Sequence, residues 1–286
     1  MNWNIVVCCI GSAFLSSVGV MAEEPRHGYE LVWSEEFEKE GPPNPENWTF
    51  EKGFKRNKEH QWYQPENAFV KEGKLIIEGR REKLPNPNYK KGSKSWKESR
   101  KFIEYTSSSL KTQGLHSWKY GRFEVRAKIV AEKGLWPAIW FLGVEGEWPS
   151  NGEIDLMEFY QGKILANACW GTKKRWSAKW DSFKKPVSSF GDKDWDQRFH
   201  IWRMDWDENK IELYVDDLLL NSIDVRKTYN ASTERGPKNP FRQPHYLLLN
   251  LAIGGQSGGD PSKTKFPSRY EVDYVRVYQR SDLKIK

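Results

Sequence analysis

The sequence is poor in cysteine and histidine. Cys8 and Cys9 lie in the apolar N-terminal segment, so Cys169 is the one cysteine left for the rest of the chain. It cannot form an intrachain disulfide, and a lone cysteine is typical of a small buried side chain. The five histidines, at positions 27, 60, 116, 200 and 245, show no HxH or HExxH spacing. We therefore predict no catalytic transition metal and no required cofactor.

Long apolar runs are also missing, apart from one at the N-terminus. Residues 1–22 carry no charged side chain and hold an apolar run that ends in Val20-Met21-Ala22. This pattern is typical of a secretory signal peptide, although no Lys or Arg follows the first methionine. The run is shorter than the roughly 20 residues that span a bilayer. We predict a signal peptide at 1–22, one domain at 23–286, a secreted (periplasmic or extracellular) protein and no membrane span.

A strong excess of one charge is absent as well. The 46 Lys and Arg against 39 Asp and Glu give a formal net charge of +7, with much of the excess in segments 83–101 and 173–185. Both segments mix Lys with Ser, Trp and Asn, which is typical of solvated loops rather than of a groove for nucleic acid. We predict a monomer without a nucleic-acid partner.

The abundant residues favour an all-β fold. The chain has 15 Trp, 22 Gly and 15 Pro, and its alternating segments, such as 123–129, are separated by turn residues. This pattern predicts an antiparallel β-sandwich, with residues 192–199 as the best short helix. The apolar run 246–253 predicts a central strand, interrupted by Asn250. That Asn either bonds to neighbouring backbone or binds sugar at a cleft floor.

Three acids in one predicted strand are the candidate catalytic residues. Strand alternation places Glu153 and Asp155 on one face. Strict alternation would turn Glu158 to the opposite, buried face, where an unpaired carboxylate is costly. A β-bulge at Leu156-Met157 returns it to the acidic face. Crowding then separates the pKa values, so that one acid stays protonated while another is ionised, as glycoside cleavage requires.

Tryptophans beside these acids favour a sugar-binding cleft. Trp136, Trp140 and Trp148 precede the acidic strand. Aromatic faces stack on the apolar C–H surfaces of pyranose rings. An isolated E-x-D-x-x-E pattern also fits an exposed acidic strand or a calcium site. The neighbouring tryptophans make a polysaccharide cleft the better interpretation.

Taken together, the motifs resemble glycoside hydrolase family 16. The resemblance rests on the segments YGRFEVRAKI, GLWPAIWFLG, WPSNGEIDLMEF, LLLNLAIGG and YEVDYVRVY, which cover nearly all of the chain after the N-terminal segment. The GLWPAIW segment resembles the laminarinase-like branch, and the offset from Glu153 to Glu158 resembles the bulged branches. The family implies a concanavalin-like jelly roll with a concave cleft, and endo-acting, retaining hydrolysis of a β-linked polysaccharide.

The resemblance also implies roles for individual residues. Glu153 corresponds to the nucleophile, Glu158 to the general acid/base and Asp155 to the neighbour that tunes the nucleophile. It further suggests a structural Ca²⁺ near Glu36 and Asp273. We expect substrate-binding side chains at Asn67, Arg80, Trp136, Trp140, Trp148, Trp170 and Asn250.

The expected substrate is a β-1,3-glucan of the laminarin type or a mixed-linkage β-1,3-1,4-glucan. Laminarinases usually carry a His-containing strand after the acids, whereas this chain has Asn167-Ala168-Cys169-Trp170, followed by basic residues at 173–175. A sulfated or other galactan, such as agar, porphyran or carrageenan, is therefore the alternative substrate. A non-catalytic β-glucan-binding protein and a transglycosylase are alternative functions, and retention of all three acids argues against the first.

Overall fold

The computed structural model describes residues 28–281. The predicted signal peptide, which includes Cys8 and Cys9, lies outside the described residues. Within residues 28–281, the fold contains no helix of the length and apolarity that crossing a membrane requires.

The described part of the chain is built almost entirely from β-strands. These are β1 (Tyr29–Glu35), β2 (Thr49–Phe50), β3 (Gln61–Tyr63), β4 (Ala68–Lys71), β5 (Lys74–Pro85), β6 (Phe102–Ser107), β7 (Ser109–Lys111), β8 (Gly121–Lys128), β9 (Leu135–Gly143), β10 (Glu153–Tyr160), β11 (Lys163–Gly171), β12 (Ala178–Pro186), β13 (His200–Trp206), β14 (Lys210–Val215), β15 (Leu218–Asp224), β16 (His245–Ile253) and β17 (Ser268–Arg280). The helices are short: α1 (Gly255–Gly258) and 3-10 turns at Pro65–Asn67, Val187–Phe190, Trp195–Gln197, Val225–Lys227 and Pro240–Arg242. Of the predicted helix at 192–199, only the turn Trp195–Gln197 forms.

The strands form two sheets that face each other. The ten-stranded sheet has the order β15-β14-β13-β8-β17-β5-β6-β3, with β1 paired to β17 and β4 to β5. The seven-stranded sheet has the order β12-β11-β10-β9-β16-β7-β2. Apart from the β3–β6 pair, the pairings between these strands are antiparallel. The predicted all-β sandwich is confirmed.

Alternation of apolar residues creates the core between the sheets. In β8, Phe123, Val125 and Ala127 are buried, while the charged residues between them reach the surface. Phe123 meets Phe141 of the opposite sheet at a ring distance of 5.2 Å. Burying each large apolar side chain contributes about 1.5–3 kcal/mol. This apolar layer fixes the inner face of the seven-stranded sheet and leaves its outer face free for a site.

One basic segment differs from the prediction. Residues 173–185 were expected to form a solvated loop, but Ala178–Pro186 is strand β12, paired with β11 along its length. β12 is the terminal strand of its sheet, and its residues are only half-buried or exposed. Such an edge strand tolerates Lys and Ser, so its composition resembles that of a loop.

The two carboxylates near which a structural calcium ion is expected are each paired with an arginine. Both oxygens of Glu36 accept hydrogen bonds from the Arg276 guanidinium, and Asp273 forms an ion pair with Arg126. Each carboxylate is therefore already compensated by a cation. Within residues 28–281, no group of three or more His, Cys, Asp or Glu is placed to hold a metal ion.

Truncating the core should destabilise the sandwich. We expect Phe141→Ala to lower the free energy of unfolding by about 3–5 kcal/mol, because Phe141 is 1% exposed and packs on Phe123. Trp176→Ala is the control, since Trp176 is 58% exposed and should change stability by about 0.5 kcal/mol or less. Urea denaturation measures both, and equal losses in the two variants would contradict this account of the core.

Candidate active site

A β-bulge in β10 brings the third acid to the other two. Between Asp155 and Glu158, β10 advances three residues while β11 advances two. The register with β9 shifts at the same place. Leu156 and Met157 are both fully buried in the core, and Glu158 returns to the face that carries Glu153. The bulge predicted from the cost of burying Glu158 is therefore present.

The three acids lie on the floor of a cleft of about 790 Å³ over the outer face of the seven-stranded sheet. Alternate residues of successive strands form this floor. They are Trp180, Ser182 and Lys184 of β12, Asn167 of β11, Glu153, Asp155, Glu158 and Tyr160 of β10, Trp136, Ala138, Trp140 and Leu142 of β9, Tyr246, Leu248, Asn250 and Ala252 of β16, and Lys111 of β7. The floor of the cleft therefore extends on both sides of the acidic strand β10.

Two of the predicted tryptophans hold carboxylates. The indole N–H of Trp148 donates to Glu153 Oε2 at 2.8 Å, and that of Trp136 donates to Glu158 Oε1 at 2.8 Å. A hydrogen bond from an N–H group to an ionised carboxylate is stronger than one between neutral groups. These indoles therefore fix the orientation of the two outer acids while their rings line the cleft.

Asn250 is anchored by side chains rather than by backbone. It accepts a hydrogen bond from Trp140 Nε1 at 2.7 Å and donates to the Tyr63 hydroxyl at 3.0 Å. Both contacts lie at the cleft floor, where Asn250 is buried. The polar break in the apolar strand β16 thus satisfies the indole of Trp140 and sets the plane of its ring.

Comparison with known proteins decides the family. Residues 57–276 match the family described as Glycosyl hydrolases family 16. The chain belongs to this family. The laminarinase-like resemblance carried by its motifs is confirmed. Family 16 membership makes it an endo-β-glycosidase.

Three relatives show the extent of the similarity. A β-glucanase of Rhodothermus marinus is 36% identical over 88% of this chain and 85% of its own length. The solved laminarinase of Rhodothermus marinus is 34% identical over 88% of this chain and 98% of that structure, with a TM-score of 0.71. A third similar structure is reported under "Prominent members of the human gut microbiota express endo-acting O-glycanases to initiate mucin breakdown". It is 35% identical over 90% of this chain and 93% of that structure, with a TM-score of 0.80. The chain spans 37% to 55% of four further relatives.

Two residues expected in the family 16 cleft lie at the opposite sheet, Asn67 in the 3-10 turn before β4 and Arg80 on β5. Asn67 is fully buried and donates from Nδ2 to the Glu78 carbonyl oxygen at 2.7 Å and to Thr106 Oγ1 at 3.0 Å. Arg80 lies on β5 and donates from Nε to Glu78 Oε1 at 2.7 Å. The expectation that they line the cleft is wrong, because both residues are committed to contacts within the ten-stranded sheet.

Trp170 is also outside the cleft. Asn167 faces the cleft from β11, so alternation turns Trp170 to the inner face. There it is 5% exposed and its ring meets Phe241 at 6.3 Å. The tryptophan of this flank that lines the cleft is Trp180, on the strand whose composition resembles that of a loop.

The cleft also contains residues that sequence reasoning missed. Arg56, from the loop before β3, forms an ion pair with Glu51 and lies over the Trp140 ring at 5.0 Å. No local pattern marks this loop, since its approach to the cleft depends on long-range folding. Trp180 and Lys184 were missed with their strand, although their spacing is that of one strand face.

Burial and mutual repulsion raise the pKa values of the three acids. Burial, followed by the charges of Glu158 and Glu153, raises the pKa of Asp155 well above its usual value. Burial and then the Glu153 charge raise the pKa of Glu158 to about 7. Burial also raises the pKa of Glu153, but the Trp148 hydrogen bond and the Arg56 charge oppose it. Ionisation is therefore best supported at Glu153, while burial and the neighbouring charges favour the neutral forms of Asp155 and Glu158.

Asn167 contacts two of the acids at once. Its Nδ2 donates to Asp155 Oδ2 and to Glu158 Oε2, both at 3.3 Å. Its Oδ1 is buried without a hydrogen-bond partner among residues 28–281. The sequence marked this position as a departure from laminarinases but did not assign it to the site. A neutral amide here favours the ionised form of Glu158 without adding charge.

Asn167 should tune the pH dependence of hydrolysis. Asn167→Leu removes a donor to the Glu158 carboxylate, so the charged form is disfavoured and its pKa rises above about 7. We expect the descending limb of the kcat/KM profile to move to higher pH. Ser182→Ala, a change in the same cleft on the adjacent strand, should leave that limb in place. An unmoved limb in the leucine variant would refute this role.

Proposed function

We propose that this chain is a retaining endo-hydrolase of β-1,3-glucan, of the laminarin type or with mixed β-1,3-1,4 linkages. The observation that carries the proposal is the bulged strand β10, which presents three carboxyl groups on one face of an open cleft. Support comes from the β-glucanase and laminarinase relatives, which match over most of the chain.

The proposed nucleophile is Glu153. Its ionised form is supported by the Trp148 hydrogen bond, the Arg56 charge and a hydrogen bond from Asp155. The carboxylate would attack the anomeric carbon and form a covalent glycosyl-enzyme, while the bond to the leaving sugar oxygen breaks. Because the pKa of Asp155 is raised, its neutral form is favoured, which limits the build-up of negative charge between the two glutamates.

Glu158 is the proposed general acid/base. With a pKa of about 7 it holds a proton in mildly acidic and neutral solution and can give it to the leaving oxygen. As a carboxylate it then accepts a proton from the water that attacks the anomeric carbon, which releases the sugar and regenerates Glu153. Two inversions at that carbon give net retention.

Cleavage within a chain follows from the position of β10 in the sheet. Strands β11 and β12 lie on one side of it, and β9, β16 and β7 on the other. At about 4.8 Å per strand, the floor extends roughly 10 Å one way and 14 Å the other. Sugar units can therefore bind on both sides of the bond that breaks.

The two sides of the proposed binding floor differ in character. On β9 and β16, Trp140, Tyr246 and Leu248 belong to an apolar cluster separate from the main core. Such a surface suits the C–H faces of neutral sugar rings. The proposed sugar-binding residues also include three that the sequence predicted, namely Trp136, Trp148 and Asn250. On β12, by contrast, the floor is polar and basic.

An endo-acting O-glycanase is the second candidate function. The specific observation in its favour is structural: the TM-score of 0.80 to the structure reported with O-glycanases exceeds the 0.71 to the Rhodothermus laminarinase at nearly equal sequence identity. The same three acids would serve both reactions, so substrate choice alone separates them.

A substrate panel tests the proposal. The purified protein is incubated with laminarin, mixed-linkage glucan, agar, porphyran, carrageenan, keratan sulfate and mucin O-glycans, and new reducing ends and product lengths are measured. Internal cleavage of laminarin with retained anomeric configuration is the expected result. Cleavage of the mucin glycans alone would favour the second candidate, and binding of laminarin without new reducing ends would overturn hydrolysis. Elongated products would indicate transglycosylation.

Export and a monomeric state are further parts of the proposal. The support for export is the uncharged apolar segment at 1–22. Secretion in the native host with cleavage after Ala22, read by N-terminal sequencing, would support it. An uncleaved intracellular protein would contradict export. Light scattering measures the molar mass in solution and so tests the proposed monomeric state.

Replacing the nucleophile should abolish turnover but not binding. Glu153→Gln keeps the shape of the side chain and removes the carboxylate, so we expect kcat to fall by at least about a thousandfold. Oligosaccharide binding, measured by calorimetry, should persist. Glu212→Gln makes the same change on β14 of the other sheet and should leave kcat unchanged. Near-normal hydrolysis by the Glu153 variant would refute the assignment.

A further inference from the structure

One flank of the cleft carries a local excess of positive charge. The whole chain has a formal net charge of +7, and residues 163–186 contain seven Lys or Arg and one Asp. This segment comprises strands β11 and β12 with their connection. We call it the cationic wing. It forms one flank of the cleft, at the β12 end of the seven-stranded sheet.

One face of β12 projects into the cleft close to the acids. Trp180, Ser182 and Lys184 line it. Ser182 pairs with Asn167, which in turn pairs with Asp155 on the acidic strand. Two strand spacings, or about 10 Å, therefore separate this face from the reacting centre. At this distance, a sugar unit bound here can belong to the same glycan chain as the one being cleaved.

The Lys184 ammonium carries an uncompensated charge into the cleft. Among residues 28–281 it has neither an ion-pair nor a hydrogen-bond partner, and its side chain is exposed. On the opposite flank, Arg56 is paired with Glu51. Within the cationic wing, Arg175 is likewise paired with Glu147, outside the cleft. Lys184 is thus placed to meet an anion brought by a ligand.

Trp180 adds an aromatic surface on the same strand face. Trp180 is 45% exposed, which leaves an aromatic stacking surface open. Lys184 lies four residues farther along this face, about 13 Å away at the rise of a strand. The face therefore combines a platform for a sugar ring with a cation for a substituent.

We propose that the cationic wing is a subsite for an anionic glycan unit, which stacks on Trp180 and directs a sulfate ester or carboxylate toward Lys184. The inference rests on the proposed function, since it names the decoration of the polysaccharide that the same cleft cleaves. The favoured substrate is then a β-linked polysaccharide in which neutral units lie on the apolar β9 and β16 floor and anionic units lie on β12.

Paired lysine variants test this subsite. Lys184→Gln and Lys185→Gln remove the same charge from neighbouring positions, but Lys185 turns to the other face, where its Nζ lies 5.0 Å from the Phe190 ring. The substrates are laminarin, laminarin sulfate and carboxymethyl laminarin, and kcat/KM is measured for each. The last two distinguish a sulfate ester from a carboxylate as the preferred anion.

We expect Lys184→Gln to lower kcat/KM about fivefold more on at least one anionic derivative than on laminarin. Lys185→Gln should behave like the parent on all three. If both variants lose the same kcat/KM on the anionic derivatives, the lysines attract polyanions in general. If Lys184→Gln loses the same kcat/KM on laminarin as on its derivatives, the effect is structural. Either result overturns the subsite.

The proposed function and the subsite can fail separately. If the parent enzyme does not cleave laminarin or its derivatives, the glucanase proposal fails, and the lysine variants are then compared on keratan sulfate. There, calorimetry in the Glu153→Gln background measures binding without turnover. Weaker binding in the Lys184 variant alone would still support the subsite, and indistinguishable binding of the two lysine variants would overturn it.

Discussion

The site depends on one extra residue in a strand. In a regular strand β10, alternation would turn Met157 toward the cleft and Glu158 into the core, where an isolated carboxylate costs several kcal/mol. The bulge places two consecutive apolar residues, Leu156 and Met157, on the core side and keeps the core closed behind the acids. A local irregularity in backbone register thus reconciles a continuous apolar layer with three carboxyl groups on the other face.

The tryptophans of the cleft act through their N–H groups as much as through their faces. Trp136 and Trp148 each donate to a different glutamate, and Trp140 donates to Asn250. An indole N–H that is shielded from water gains from an acceptor, and a carboxylate on a cleft floor gains from a donor. The same contacts therefore satisfy both groups and hold the acids in fixed orientations before a substrate binds.

The sequence predicted the parts of the molecule that follow from local periodicity. The β-sandwich, the acidic strand and its bulge all follow from alternation combined with the cost of burying Glu158. The errors arose where function depends on which face of a strand is turned outward or on contacts between distant segments. Trp170 was preferred to Trp180 because the edge strand β12 resembles a loop in composition, and Arg56 reaches the cleft from a loop without any distinguishing pattern.

Strand β12 has a consequence for self-association. It ends the seven-stranded order, so one of its backbone edges has no neighbouring strand within that sheet. Unprotected edges of this kind recruit strands from other molecules and lead to aggregation. A second copy approaching this edge would align its lysines against those of the first, and their repulsion disfavours growth of the sheet. The basic composition that disguised β12 as a loop therefore also helps to keep the cleft-bearing sheet from extending between molecules.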